Sequence, residues 1–227
     1  MKWVAFLLIL APAVVALAGT RDAVLLNATF DDPDLSGWRT SGDICVAPAF
    51  CAGEPSGRYW IAMSTNNPDS DAMTLCGNSS LGGLQSILRS PDLPLPFIPS
   101  RIRVEFKVKF LTNENPATDL GTDAFTARLL TLAGPVVIAS VDDSGPSPGT
   151  KNLVIRGDAA FRESACDSNW RYETGMLEIT YDRTFREPVR KRMAEGPIAI
   201  EFSLANQFDV DFDSAVVLDD VRVQVFR

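Results

Sequence analysis

The side chains in this sequence most able to do chemistry are acidic. The densest set is Asp209-Val-Asp211-Phe-Asp213, followed shortly by Asp219 and Asp220. In an extended chain alternate residues point the same way, so Asp209, Asp211 and Asp213 would share a face and repel one another unless a cation lay among them. A second set, Glu114, Asn115, Asp119 and Asp123, offers three carboxylates and an amide within ten residues. Oxygen donors of this kind suit calcium, which takes about six to eight hard oxygens, better than a transition metal. The spacing is not that of an EF-hand loop. The competing reading is a solvated acidic surface, its charge partly answered by the basic run Arg183, Arg186, Arg190, Lys191 and Arg192.

Histidine is absent from all 227 residues. That removes the usual general base, the Ser-His and Cys-His nucleophile pairs and every His-ligated metal site. A glycosidase could still run on two carboxylates placed across a sugar. Nothing in the spacing pairs two acids in that way, however, and no SxxK arrangement occurs after the first eighteen residues. The expectation is a protein that is not an enzyme. Among the aromatic residues, Trp38 and Trp60 read as core, whereas Trp170 and Tyr172 flank Arg171 in a polar stretch and form the one pair expected to be exposed for stacking on a sugar.

Residues 1 to 18 read as an export signal: Lys2 gives a positive start, an apolar run follows, and Ala16-Leu17-Ala18 places small residues before Gly19. A membrane anchor is the alternative, but the run is near the lower limit for a span and contains Pro12. Export would place Cys45, Cys51, Cys76 and Cys166 in an oxidising compartment, secreted, periplasmic or at the cell surface. Four cysteines allow three pairings; a short staple joining Cys45 to Cys51, with Cys76 joined to Cys166, is favoured. The formal charge of −8 disfavours nucleic acid and anionic membranes as partners. Asn27-Ala28-Thr29 and Asn78-Ser79-Ser80 match the glycosylation acceptor pattern, which matters only in a host with that machinery.

These groups must be positioned by β-structure. Strand patterns occur at residues 23 to 30, 59 to 64, 85 to 90, 101 to 111, 124 to 132, 136 to 141, 177 to 181, 198 to 205 and 215 to 226. The clearest is 101 to 110, where Ile102, Val104, Phe106, Val108 and Phe110 share one face and Arg101, Arg103, Glu105, Lys107 and Lys109 the other. The loops between are rich in Pro, Gly, Asn and Asp, and residues 185 to 194, with Pro188 inside, allow a short helical turn at most. Residues 19 to 227 therefore read as one all-β domain, a two-sheet antiparallel jelly-roll sandwich whose first and last strands pair.

Several segments carry a resemblance. Phe30-Asp31 followed by Leu35-Ser36-Gly37-Trp38, then Phe110-Leu111-Thr112-Asn113-Glu114 with Asp123-Ala124-Phe125, and lastly Asp213-Ser214-Ala215 running into Leu218-Asp219-Asp220-Val221, are similar to the exported bacterial jelly rolls called choice-of-anchor domains. Those are similar in plan to galactose-binding-like sandwiches, which include many carbohydrate-binding modules. The resemblance implies a calcium-stabilised, non-catalytic module at a cell surface or in a matrix. Its partner would be an extracellular glycan or surface protein, with a carbohydrate-binding module proper and a carboxylate-based glycan hydrolase or lyase as alternatives. It further implies one calcium held by Asp31 or Asp32 with Asp219 or Asp220, and a second cation cluster containing Glu114, Asp123 and Asp213.

Overall fold

The computed structural model describes residues 22–30, 35–48, 59–65, 76, 85–113, 115, 123–142, 145–147, 151–165, 170–206 and 214–227. The fold is all-β, two antiparallel sheets packed as a jelly-roll sandwich. Among the described residues fifteen strands run β1 (Asp22–Ala28), β2 (Arg39–Ser41), β3 (Asp43–Pro48), β4 (Tyr59–Ser64), β5 (Gln85–Arg89), β6 (Arg101–Thr112), β7 (Asp123–Leu130), β8 (Val136–Asp142), β9 (Gly145–Pro146), β10 (Leu153–Arg156), β11 (Arg162–Glu163), β12 (Tyr172–Glu173), β13 (Leu177–Thr184), β14 (Ala199–Asn206) and β15 (Ser214–Phe226), with one short helix, α1 (Val189–Met193). Every strand expected from the sequence is present, with ends shifted by no more than three residues.

One sheet has nine strands along the order β10-β13-β6-β15-β4-β3, with β1 also on β15 and the β11-β12 pair joined to β6. The other has six, in the order β2-β5-β14-β7-β8-β9. The first and last strands pair, Asp22 opposite Phe226 and Ala28 opposite Val221. Strand β15 is long enough to change neighbours: residues 215 to 218 pair with β4 and residues 221 to 226 with β1. The exchange is marked by a register shift between Asp219 and Arg222, where Asp220 takes a left-handed φ of 52°. An acidic residue tolerates that conformation better than a branched one would.

Alternation builds the core. The inward residues of β6 meet β7 and β14 through Phe106, whose ring lies 6.3 Å from Phe125 and 5.2 Å from Phe202. Phe125 and Phe202 stack on each other at 6.0 Å. These three rings sit between the sheets, each at most 2% exposed. The outer face of the nine-stranded sheet is divided. Toward the start of β15 it is covered by a second apolar cluster of Trp60, Leu111, Trp170, Ala215 and Val217, and toward the end of β15 it is open.

The disulfide differs from the expectation. Cys45 is joined to Cys76, with Cα atoms 5.5 Å apart, not to Cys51. Strand β3 stays extended through Pro48, opposite β4, so the chain leaves Cys45 at about 3.3 Å per residue instead of curling back. Residue 76 instead lies over β3 and β4, its amide 3.4 Å from Asp43 Oδ2 and its Sγ 3.8 Å from the Ala62 carbonyl. Cys51 and Cys166 fall outside the described residues.

Candidate functional site

The open half of the outer face is lined from strands four deep. Because residues paired across antiparallel strands share a face, Arg156, Glu178, Lys107 and Asp219 form one row across β10, β13, β6 and β15. A second row holds Val154, Thr180, Glu105, Arg222 and, from β1, Asn27. The charges of the first row alternate in sign. The bulge in β15 turns Asp220 toward the groove as well, and its Oδ2 lies 2.8 Å from Lys107 Nζ. That hydrogen bond outweighs desolvation and holds the Lys107 ammonium above the usual lysine pKa.

Together these residues enclose a groove of about 390 Å³ lined by Glu105, Lys107, Arg156, Glu178, Asp220 and Arg222, with Asn27 and Thr180 at its sides. Its size falls within the range of about 300–1,000 Å³ common to small-ligand sites. Carboxylates accept and guanidinium or ammonium groups donate, so neighbouring positions along the groove differ in the hydrogen bonds they offer. The groups stand on strands, which fixes their spacing before any ligand arrives.

Beyond this groove toward the strand ends, Arg101 Nε and Arg103 Nη2 reach the Asp182 carboxylate at 2.6 and 2.8 Å. The hydrogen bond from Arg101, with further help from Arg103, holds the Asp182 carboxyl below the usual carboxylate range despite partial burial.

The expected site residues are distributed as follows. Trp170 is buried, 6% exposed, which corrects the expectation of an exposed stacking surface: it closes the second apolar cluster against Trp60, Leu111 and Val217. Tyr172 is half-buried in β12 opposite Thr112. Beside them Glu173, 1% exposed, accepts from Ser164 Oγ at 3.2 Å and lies 3.8 Å from Lys109 Nζ. Asp123 is fully buried at the start of β7 opposite Asn206. At the same end of the sandwich, Ser214 Oγ meets Thr112 Oγ1 at 3.0 Å, and the Ser214 amide meets Thr65 Oγ1 at 3.0 Å. Asp219 lies in the middle of β15, five residues beyond Ser214, or about 17 Å along the strand. Asp123 and Asp219 are therefore not brought to one point. Asp31, Asp32, Glu114 and Asp213 lie outside the described residues. Among the described residues, no group of three or more His, Cys, Asp or Glu is arranged to hold a metal ion, and no helix is long and apolar enough to cross a membrane.

Reading the sequence alone missed the groove. Arg156, Glu178 and Arg222 carry no local motif; the one available signal was the polar alternate face of residues 101 to 109.

No protein-family model matches the chain, and no curated protein matches it. Among solved structures it is similar to the K3 cleaved adhesin domain of Lys-gingipain from Porphyromonas gingivalis w83, at 12% identity over 89% of this chain and 98% of that one, with a TM-score of 0.43. It is also similar to the CBM27-1 module of Caldicellulosiruptor saccharolyticus in complex with mannohexaose, at 14% identity, 90% and 97% coverage, and a TM-score of 0.45. A third similar structure is the Stig cyclase Fisc from Fischerella sp. TAU, at 14% identity, 89% and 97% coverage, and a TM-score of 0.44. Adhesin, binding module and cyclase thus stand side by side, and at these identities and scores no ligand, residue or activity passes from them to this chain.

Proposed function

We propose that this chain is an exported, non-catalytic binding module that holds a neutral glycan in the groove on the outer face of its nine-stranded sheet. The observation that carries the reading is the groove itself: about 390 Å³, strand-built, with acceptors and donors alternating across four strands. A sugar presents vicinal hydroxyl groups, each able to donate and accept, and a surface such as Glu178, Lys107 and Asp220 in file matches that chemistry. With no tryptophan or tyrosine among the described residues that line it, recognition rests on hydrogen bonds and not on stacking. Export is supported by the leader-like residues 1 to 18 and the disulfide.

Calcium belongs to the same proposal as a stabilising ion at the end of the sandwich that holds Asp123. Support comes from the polar residues Thr65, Thr112, Asn206 and Ser214 buried there, and from the carboxylates the sequence places in the connections after β6 and β14. At the other suggested position Asp220 is already committed to Lys107.

The groove reading is tested by calorimetry or affinity electrophoresis against neutral polysaccharides such as mannan and xylan. Arg222→Ala and Glu178→Gln are expected to weaken binding about tenfold or more each, the usual consequence of losing a hydrogen bond to a charged group. No binding to any neutral glycan, or binding that survives both substitutions, would sink it. Release of reducing ends by the wild-type protein would overturn the non-catalytic part.

A further inference from the structure

A second surface, at the end of the sandwich where β6 begins and β15 finishes, is built differently. Residues 183 to 192 contain five cations and one carboxylate in a chain whose formal charge is −8. Helix α1 carries three of those cations and is anchored by Met193, 1% exposed. Three segments are tied together here: the Phe185 amide donates to the Ser100 carbonyl at 2.8 Å, the Ser100 amide to the Phe226 carbonyl at 2.8 Å, and Arg190 Nε to the Pro99 carbonyl at 3.1 Å. Every arginine found over an aromatic ring among the described residues is at this end: Arg101 and Arg103 over Phe226, Arg183 over Phe185 at 5.0 Å, and Arg227 over Phe97 at 5.6 Å.

The charge is only partly spent. Arg101 and Arg103 share Asp182, and Lys191 lies 3.8 Å from the exposed Glu187. Arg183, Arg186, Arg192 and Arg227 form no ion pair with another described residue. A guanidinium stacked on a ring keeps its edge free for two parallel hydrogen bonds to a planar or tetrahedral oxyanion, and its rotamer freedom is already reduced. The acidic connection after β14 leaves from that strand's far end, about 26 Å away by strand length, so it does not start beside these cations.

We propose that this basic end, formed by Arg183, Arg186, Arg190, Lys191, Arg192 and Arg227, binds an acidic polysaccharide carrying carboxylate or sulfate groups. The charge balance favours that partner over nucleic acid. Duplex DNA carries one charge per ~1.7 Å, and its phosphates beyond the patch would meet an acidic remainder, whereas an acidic glycan is charged more sparsely. The disulfide also fits an oxidising compartment such as the cell exterior. A lipid surface fits less well, since the phenylalanine rings beside the cations are covered by guanidinium groups.

The test is affinity electrophoresis and calorimetry of the full oxidised chain with heparin and with polygalacturonate, at low and raised sodium chloride, alongside single-stranded DNA and phosphatidylserine vesicles. Retention by at least one of the two polysaccharides is expected, weakening as salt screens the charges. Arg186→Glu/Arg192→Glu should reduce it at least about tenfold through like-charge repulsion. Arg186→Gln/Arg192→Gln should reduce it less, with the melting temperature and the neutral-glycan binding of the groove unchanged. No salt-sensitive retention by either polysaccharide overturns the proposal. So does retention unaltered in both double variants, or retention on DNA or vesicles that equals or exceeds it.

Discussion

At the scale of single residues, the charges on the outer face act as pairs, and Asp182 is the best example. One carboxylate takes hydrogen bonds from two guanidinium groups, and Arg101 also lies 4.5 Å from the Phe226 ring centre. Since the Asp182 pKa is lowered by folding, its contribution to stability is complete above the unfolded carboxylate value of about 3.9 and is lost as pH falls through the lower folded value. Arg101 and Arg103 are each about a third exposed, so solvent screening limits the gain to about 1 kcal/mol. Asp182→Asn should therefore lower the unfolding free energy at neutral pH by that amount, read as a lower urea midpoint, and leave a curve of stability against pH that is flatter below about pH 4. An unchanged neutral midpoint would show that the pair is energetically idle. Trp170 illustrates how a residue-level reading goes wrong: its neighbours in sequence are polar, but its neighbours in space are Trp60, Leu111 and Val217.

At the scale of elements, the strands followed from alternation wherever one face is buried. Strand β7 throughout, and β6 over residues 101 to 108, alternate residue by residue between buried and half-buried. The elements missed were β2, β3 and β9 to β12. In β3 the run Asp-Ile-Cys-Val-Ala-Pro has no polar alternation, and the shorter pieces of two to four residues exist only because a partner strand is at hand. The step from β2 in one sheet to β3 in the other is made by a single residue, Gly42, at φ +88°. A Cβ there would stand 2.5 Å from Ser86 Oγ and 2.6 Å from the Gln85 carbonyl oxygen, so neither conformation nor space admits a side chain. Gly42→Ala is expected to cost about 1–3 kcal/mol, read as a lower midpoint in chemical denaturation. A midpoint within error of the wild type would mean that the crossing can relax around a methyl group. The disulfide belongs to this scale too, because an extended β3 decided which cysteine could be reached.

For the whole molecule, charge is distributed unevenly: cations gather where β6 begins, while buried polar residues and the acidic connections start from the end that holds Asp123. Cation binding at that acidic end would relieve repulsion in the folded state alone and so raise stability by mass action. A thermal scan with about 1 mM calcium against one with chelator should show a higher midpoint with calcium, and magnesium at equal concentration should do less because it dehydrates reluctantly. Identical midpoints in calcium and chelator would remove the ion from the proposal.

What the sequence determined by itself was whatever depends on neighbours along the chain: the longer strands with one buried face, the all-β class, the absence of histidine chemistry and the export-like start. These properties are local, since period-two burial and composition are written within a few residues. The tertiary structure alone decided which cysteine Cys45 meets, that Trp170 is core, that Arg156, Glu178, Lys107 and Asp220 form one groove, and that Arg227 joins the basic run of residues 183 to 192 at one end. Register and strand order set those adjacencies, and they join residues tens to more than a hundred positions apart whose spacing in sequence carries no signal of their meeting.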